Sequence, residues 1–200
     1  MKRDRKPISR RNGKSKAAGA IRIIAGQFGG RKLPVLDAVG LRPTTDRTKE
    51  TVFNWLMQDI QNAACLDLFA GSGGLGFEAL SRYAGKVTFV EKDPLAGKQL
   101  RTNLATLTPQ AEQFSLSIGD AFEFLTTTHD TYSLIFIDPP FGKNWVEPAV
   151  ETILQRKLLV EDGLIYIEHE RSVKFDGDSY GLTLKKQKST GQVTYSLWVN

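Results

Sequence analysis

The 200-residue chain is long enough to bury one sizeable core, and its 40% hydrophobic and 24% charged content is ordinary for a globular protein. A single cysteine excludes an internal disulfide framework and fits a reducing cytoplasm, and no apolar run approaches the ~20 residues that cross a bilayer. The formal net charge of +5 is concentrated at the start: residues 1–20 carry eight Lys/Arg and one Asp, which leaves the other 180 residues at −2.

Residues 1–20 have almost nothing to bury and read as a disordered basic tail, either attractive to a polyanion or simply solubilising. Residues 21–35 predict two short strands around a glycine-rich turn. Arg42-Pro43-Thr44-Thr45-Asp46-Arg47 is a helix-start signal, and the helix it opens sets Val52, Phe53, Leu56, Met57 and Ile60 on one core-facing stripe. Residues 21–62 therefore read as an N-terminal extension made of a β-hairpin and a helix.

From residue 63 the pattern changes. Apolar runs at 64–70, 86–90, 114–118, 133–137 and 163–168 have strand length, and helical stretches lie between them near 75–83, 94–106, 120–127 and 145–156. That rhythm predicts a parallel sheet covered on both faces. Residues 182–184 and 193–199 flank Ser189-Thr190-Gly191 and read as a closing antiparallel hairpin. The predicted fold for residues 63–200 is α/β and Rossmann-like, of the class I methyltransferase type: a mostly parallel seven-stranded sheet ending in an antiparallel hairpin.

The first strand of this region runs into Phe69-Ala70-Gly71-Ser72-Gly73-Gly74-Leu75-Gly76, a glycine turn that opens a helix. Gly71, Gly73 and Gly76 satisfy the G-x-G-x-x-G spacing, and Glu91 ends the next strand, so a nicotinamide-dependent dehydrogenase is a real rival. Asp67 argues against it. A carboxylate four residues before the first glycine is out of place beside a pyrophosphate but suits the cationic amino-acid end of S-adenosylmethionine; its alternative role is to cap a turn amide. Glu91, with Lys92 beside it, is placed to accept from ribose hydroxyls. Asp120, with Ala121, closes the third strand and either accepts from an adenine amino group or caps the following helix.

Ile135-Phe136-Ile137-Asp138-Pro139-Pro140-Phe141 delivers a carboxylate, two prolines and an aromatic to the end of the fourth strand. An exocyclic base amine is a poor nucleophile because its lone pair is delocalised into the ring. Accepting hydrogen bonds from both of its N–H groups, through the Asp138 carboxylate and the Pro139 carbonyl, frees that lone pair. The prolines bias the backbone toward an extended form that holds the carbonyl in place, and Phe141 can stack on the base for about 1–3 kcal/mol. A paired base cannot reach such a pocket, so the target is flipped or unpaired.

The tetrad Asp138-Pro139-Pro140-Phe141 resembles the Asp/Asn-Pro-Pro-aromatic motif of amino methyltransferases. Together with Ile21-Arg22-Ile23-Ile24-Ala25-Gly26, Gly30-Arg31-Lys32-Leu33, Leu41-Arg42-Pro43-Thr44-Thr45-Asp46-Arg47, Phe53-Asn54-Trp55-Leu56, the segment from Asp67 to Gly73 and Gly191-Gln192-Val193, it resembles the bacterial RsmD family over nearly the whole chain from residue 21. The resemblance implies an S-adenosylmethionine-dependent enzyme that methylates the N2 amine of one guanine in 16S ribosomal RNA, within an assembled or partly assembled small subunit. It implies cofactor contacts from Asp67, Phe69, Ala70, Gly71, Ser72, Gly73, Glu91, Lys92, Asp120 and Ala121, and catalysis by the tetrad. Arg42, Thr44 and Arg47 are implied near the site and Arg22, Arg31 and Lys32 toward RNA, with a monomeric, cytoplasmic protein as the expectation. Adenine N6 and protein glutamine stay open as alternative targets, since related tetrads serve both. A noncatalytic RNA-binding module would leave the strand-end acids unexplained.

Other conspicuous residues read as ordinary. His129 and His169 lack partners for a metal site, Cys65 is expected in the core, and Glu168-His169-Glu170 reads as a solvated strand end. Phe122 and Phe124 fit either an adenine contact or core packing.

Overall fold

The computed structural model describes residues 19–35, 45–107 and 110–200. Expectations for the first 18 residues of the basic tail and for Arg42, Pro43 and Thr44 lie outside the described residues.

Strands β1 (Ala20–Arg22) and β2 (Lys32–Pro34) pair antiparallel, with Ile21 opposite Leu33 on the buried face. Helix α1 (Asp46–Trp55) starts at Thr45, whose hydroxyl accepts from the Thr48 amide at 3.2 Å. Val52, Phe53, Leu56 and Ile60 are buried as their spacing predicts, but Met57 is 69% exposed. The helix ends at Trp55 with Leu56 as its cap, so helical periodicity no longer aims residue 57.

The remainder alternates strand and helix: β3 (Ala64–Asp67), α2 (Gly74–Ser81), β4 (Lys86–Glu91), α3 (Pro94–Leu107), β5 (Phe114–Ile118), α4 (Ala121–Thr127), β6 (Tyr132–Ile137), α5 (Val146–Gln155) and β7 (Leu159–Glu170), followed by β8 (Thr183–Thr190) and β9 (Val193–Val199). They form a seven-stranded sheet in the order β5-β4-β3-β6-β7-β9-β8. β5 to β7 are mutually parallel, and β9 runs antiparallel to both β7 and β8. The expected α/β architecture with a closing hairpin is therefore present.

Three strands differ from the sequence reading. β3 stops at Asp67 rather than at residue 70, because the chain leaves the ladder there to make the glycine turn. β7 is longer at both ends than 163–168. β8 runs through residues read as a connection: all eight of its residues are exposed, so it lacks the alternation that marks a half-buried strand. Its lysines suit an edge strand, where charge discourages pairing with another chain.

Each face of the sheet is covered. The β1–β2 hairpin, α1, α2 and α3 contribute Ile21, Leu33, Phe53, Phe77 and Leu100 to one buried cluster that also takes in Cys65. Leu125 of α4 and Val150 and Ile153 of α5 pack with Ile135, Ile165 and Trp198 on the other. Burial pushes the Cys65 thiol far above its ordinary range, as befits a core residue.

Buried polar groups tie the N-terminal segment to α2. Fully buried Glu78 accepts from the Ile24 amide at 2.7 Å and the Ala25 amide at 3.1 Å, and from Arg82 Nε at 2.7 Å. The Ser81 hydroxyl accepts from the Phe28 amide at 3.0 Å and donates to the Ala25 carbonyl. Between these contacts Gly26 has φ +83°, and a Cβ there would lie 1.8 Å from the Ser81 carbonyl oxygen. Strain and clash act together, so Gly26→Ala is expected to lose at least ~2 kcal/mol in urea-induced unfolding. An unchanged midpoint would show that the clamp does not close as described.

Candidate active site

The chain moves outward from β3 through β4 to β5 and then crosses back to place β6 on the other side of β3. Strand order reverses there, and the carboxyl ends of adjacent strands splay into a crevice. A cleft of about 440 Å³ occupies this position. Its lining comes from the ends of β3, β4 and β7, from the segments that follow β3, β4, β5 and β6, and from the first turns of α2, α3 and α4.

The glycine turn forms one wall. Phe69, Ala70, Gly71 and Ser72 border the cleft, whereas Gly73 sits at the exit of the turn as the left-handed N-cap of α2. Asp67 lines the cleft, is only 3% exposed, and accepts from the Gly76 amide at 2.9 Å. This approach needs glycine at 76, since a Cβ would lie 2.2 Å from the Phe89 ring and 2.9 Å from Asp67 Oδ2. Turn-capping and cleft-lining are thus combined in one side chain. Burial pushes the Asp67 carboxyl up to about 7, against the pull of the Gly76 amide and with a further push from the Glu91 charge.

Glu91 ends β4 with both oxygens held. Oε2 accepts from the Gly71 amide and Oε1 from the Asp93 amide, each at 2.7 Å. Asp120 is the N-cap of α4, accepting from the Phe122 and Glu123 amides at 2.9 and 3.3 Å, so its capping role is realised. Lys92 Nζ lies 3.0 Å from its other oxygen. That lysine first, and the amides with it, hold the Asp120 carboxyl below its ordinary range. Lys92, Asp120 and Ala121 all border the cleft.

Asp138, Pro139, Pro140 and Phe141 follow the end of β6 and border the same cleft from the opposite side. Phe141 stands partly exposed, and the next amide, that of Gly142, donates to the Glu170 carboxylate at the end of β7. Every catalytic and cofactor residue predicted from sequence except Gly73 therefore borders one cleft. The predicted RNA contacts Arg22, Arg31, Lys32 and Arg47 are exposed on the N-terminal segment and α1, and none of them lines the cleft. Arg31 lies over the Phe28 ring at 5.4 Å.

Trp145 and Glu168 are among the lining residues to which the sequence reading gave no role in the site. Trp145 stacks on Phe69 at 5.8 Å and meets Phe122 edge-on at 5.9 Å, completing an aromatic wall. It stands as the N-cap of α5, close after the tetrad, and that proximity was the available signal. Glu168 corrects the expectation of a solvated strand end: it is 8% exposed, lines the cleft, and accepts from the Tyr166 hydroxyl at 2.9 Å. His169 is buried beside it, with Nδ1 2.8 Å from the Glu170 carbonyl. β7 is central in the sheet and covered by its neighbours even at this end. Of the two phenylalanines left open, Phe122 borders the cleft, and Phe124 packs partly buried against the core on the α4–α5 side.

A protein of Haemophilus influenzae named ribosomal RNA small subunit methyltransferase D is 47% identical over 186 residues, covering 92% of this chain and 96% of that one. Its namesake from Escherichia coli K12 is 44% identical over 181 residues, 90% of each chain. The family model described as Conserved hypothetical protein 95 matches residues 21–199. The chain belongs to this family, the RsmD family. The solved structure of yhhF from Escherichia coli superimposes with a TM-score of 0.84 at 42% identity, covering 91% of this chain and 98% of that one. HI0767 from Haemophilus influenzae gives 0.80 at 43%, covering 91% and 99%. The family match starts after the basic tail and takes in both the N-terminal segment and the sheet.

Asp67 supplies a test of the cleft's electrostatics. Its folded-state value near 7 lies above the ordinary value of 3.8, so the native state keeps the proton longer than the unfolded chain does. Its contribution is fully present below about pH 4 and is lost as pH rises through about 7. The expected result is a stability difference between Asp67→Asn and the parent that shifts in favour of the variant across this window. Parallel pH profiles from chemical denaturation would contradict it.

Proposed function

We propose that this chain transfers a methyl group from S-adenosylmethionine to the exocyclic N2 amine of a guanine in small-subunit ribosomal RNA. The observation that carries the reading is the meeting, across one cleft, of the glycine turn with its buried acid and the Asp138-Pro139-Pro140-Phe141 tetrad. Membership of a family whose relatives are named small-subunit ribosomal RNA methyltransferases supports the substrate class.

The residues present fit the cofactor. Asp67 is a carboxylate kept from water and held near neutrality, an environment in which a cationic ammonium is the natural partner. Asp67 and the Gly71–Ser72 backbone would hold the amino-acid end, and Glu91, already fixed by two amides, would accept from the ribose. Asp120, Ala121 and the Phe122 face would border the adenine. When bound, S-adenosylmethionine supplies an electrophilic methyl carbon on a sulfonium that departs as a neutral thioether.

On the opposite wall the Asp138 carboxylate accepts one N–H of the target amine and the Pro139 carbonyl the other. Both draw the nitrogen toward a tetrahedral form with its lone pair available. Phe141 stacks on the base and fixes the ring plane. The surplus proton is lost after nitrogen has bonded to carbon, so no strong base is needed before attack. Most of the rate gain comes from alignment and fixed dipoles. Arg22, Arg31, Lys32 and Arg47, with Arg42 and Thr44, would meet the RNA. A monomer acting in the cytoplasm on an assembled or partly assembled subunit is the context we propose.

Labelled methyl transfer to small subunits from cells lacking this protein, followed by nucleoside analysis, tests the reading directly. N2-methylguanosine is expected. N6-methyladenosine would overturn the base assignment, and label in DNA or protein alone would overturn the RNA substrate. Asp138→Ala is expected to bind the cofactor normally while losing turnover by about 100-fold or more. Unchanged turnover would refute the role of the tetrad. Cofactor affinity should fall as pH drops below about 7, where Asp67 takes up a proton, and Asp67→Asn should bind more weakly with a flatter profile in calorimetry.

A further inference from the structure

The cleft holds a second buried carboxylate on the wall that carries the tetrad. Ile137 pairs with Ile167 in the parallel ladder of β6 and β7, which sets Asp138 and Glu168 at the next level of neighbouring strands. Both border the cleft, and both charges bear on the same buried phenol, Tyr166. The Tyr166 hydroxyl donates to Glu168 Oε2 at 2.9 Å and so orients the carboxylate. Nothing in the handling of the cofactor or of the amine lone pair uses this group.

We infer that Glu168 is a specificity-determining residue that accepts the N1–H of the target guanine, an inference that rests on the guanine reading above. The Watson–Crick edge of guanine presents three hydrogens side by side, one on N1 and two on N2. Asp138, the Pro139 carbonyl and Glu168 supply three acceptors for them. Adenine offers two amine hydrogens but a lone pair at N1, so Glu168 would set acceptor against acceptor. A polar group left unmatched in a buried site costs more than a matched one contributes, which makes it a strong discriminator. Related tetrads serve adenine and guanine alike, because Asp138 and Pro139 need only an amine. The choice between the bases therefore falls to a group beside the tetrad.

The test exchanges donor and acceptor on both partners. 2-Aminopurine keeps the N2 amine but has a lone pair in place of N1–H. Small subunits are reconstituted with ribosomal RNA carrying either guanine or 2-aminopurine at the methylated position. The unaltered protein is expected to turn over 2-aminopurine on the order of 100-fold less efficiently than guanine. Glu168→Gln keeps a carbonyl oxygen for the Tyr166 hydroxyl and presents an amide donor. It should lose efficiency on guanine and shift the guanine to 2-aminopurine ratio by at least about tenfold toward 2-aminopurine. A merely structural role for Glu168 would lower both substrates equally and leave the ratio unchanged, which overturns the inference. Comparable turnover of both bases by the unaltered protein overturns it as well, without any variant. If the unaltered protein makes no N2-methylguanosine on guanine subunits, the proposed function itself fails, and that outcome is read before the ratio.

Discussion

The hydrogen bond from the Gly76 amide to the Asp67 carboxylate is the contact on which the site depends. It joins the last residue of β3 to the first turn of α2 across nine residues of chain and forces the intervening glycines into a tight turn. The geometry works only because α2 presents a hydrogen rather than a methyl group at position 76 against the Phe89 ring. Once the turn is set, the Gly71 amide falls on Glu91, which in turn fixes the Asp93 amide at the start of the next loop. One buried acid thus organises two strand ends, and the desolvation it suffers would favour a cationic partner.

A second buried acid does similar work one helix length away. Glu78 and Ser81, at the far end of α2, gather the amides of the N-terminal segment, and Lys49 of α1 caps the Arg22 carbonyl. The helix that begins at the cleft therefore ends in the clamp. The N-terminal hairpin and α1 share a hydrophobic cluster with α2, β3 and β4, so their exposed arginines are carried on a surface held rigidly to the site. Buried carboxylates satisfied by several donors each lock such a junction more specifically than apolar contact alone.

The architecture was legible where side-chain pattern and burial agree. β3 to β7 are apolar runs of strand length, and the acids at their ends fall at the positions that an open parallel sheet gives to ligands. β8 was hidden because exposure on both faces erases the period of two; only its main-chain pairing with β9 makes it a strand. Met57 was misplaced because a helical period was carried past the helix end. Glu168 and His169 were misjudged because charge suggested solvent, whereas a strand flanked on both sides stays covered to its end. Trp145 had no periodic signature at all, being a cap on which Phe69 and Phe122 converge through tertiary structure.

Charge sorts what this cleft accepts. Among the described residues, Asp67, Glu91, Asp93, Asp120, Asp138 and Glu168 line it, with Lys92 as the cation among them and already engaged by Asp120. A cleft so lined repels a pyrophosphate, which is the physical case against a nicotinamide cofactor despite the shared glycine spacing. Such a lining favours an ammonium and the donor edge of a base. Under the proposed function, the same acids would oppose the backbone of an RNA substrate, which leaves that affinity to basic groups other than the described lining. Eight Lys/Arg fall in residues 1–20, while the rest of the sequence is slightly acidic. Exposed Arg22, Arg31, Lys32 and Arg47 lie on the clamped N-terminal surface. Under the proposed function, the cleft would select a neutral base carrying hydrogen-bond donors while exposed basic side chains that do not line it would neutralise phosphates, so the two tasks make no competing demand on the same groups.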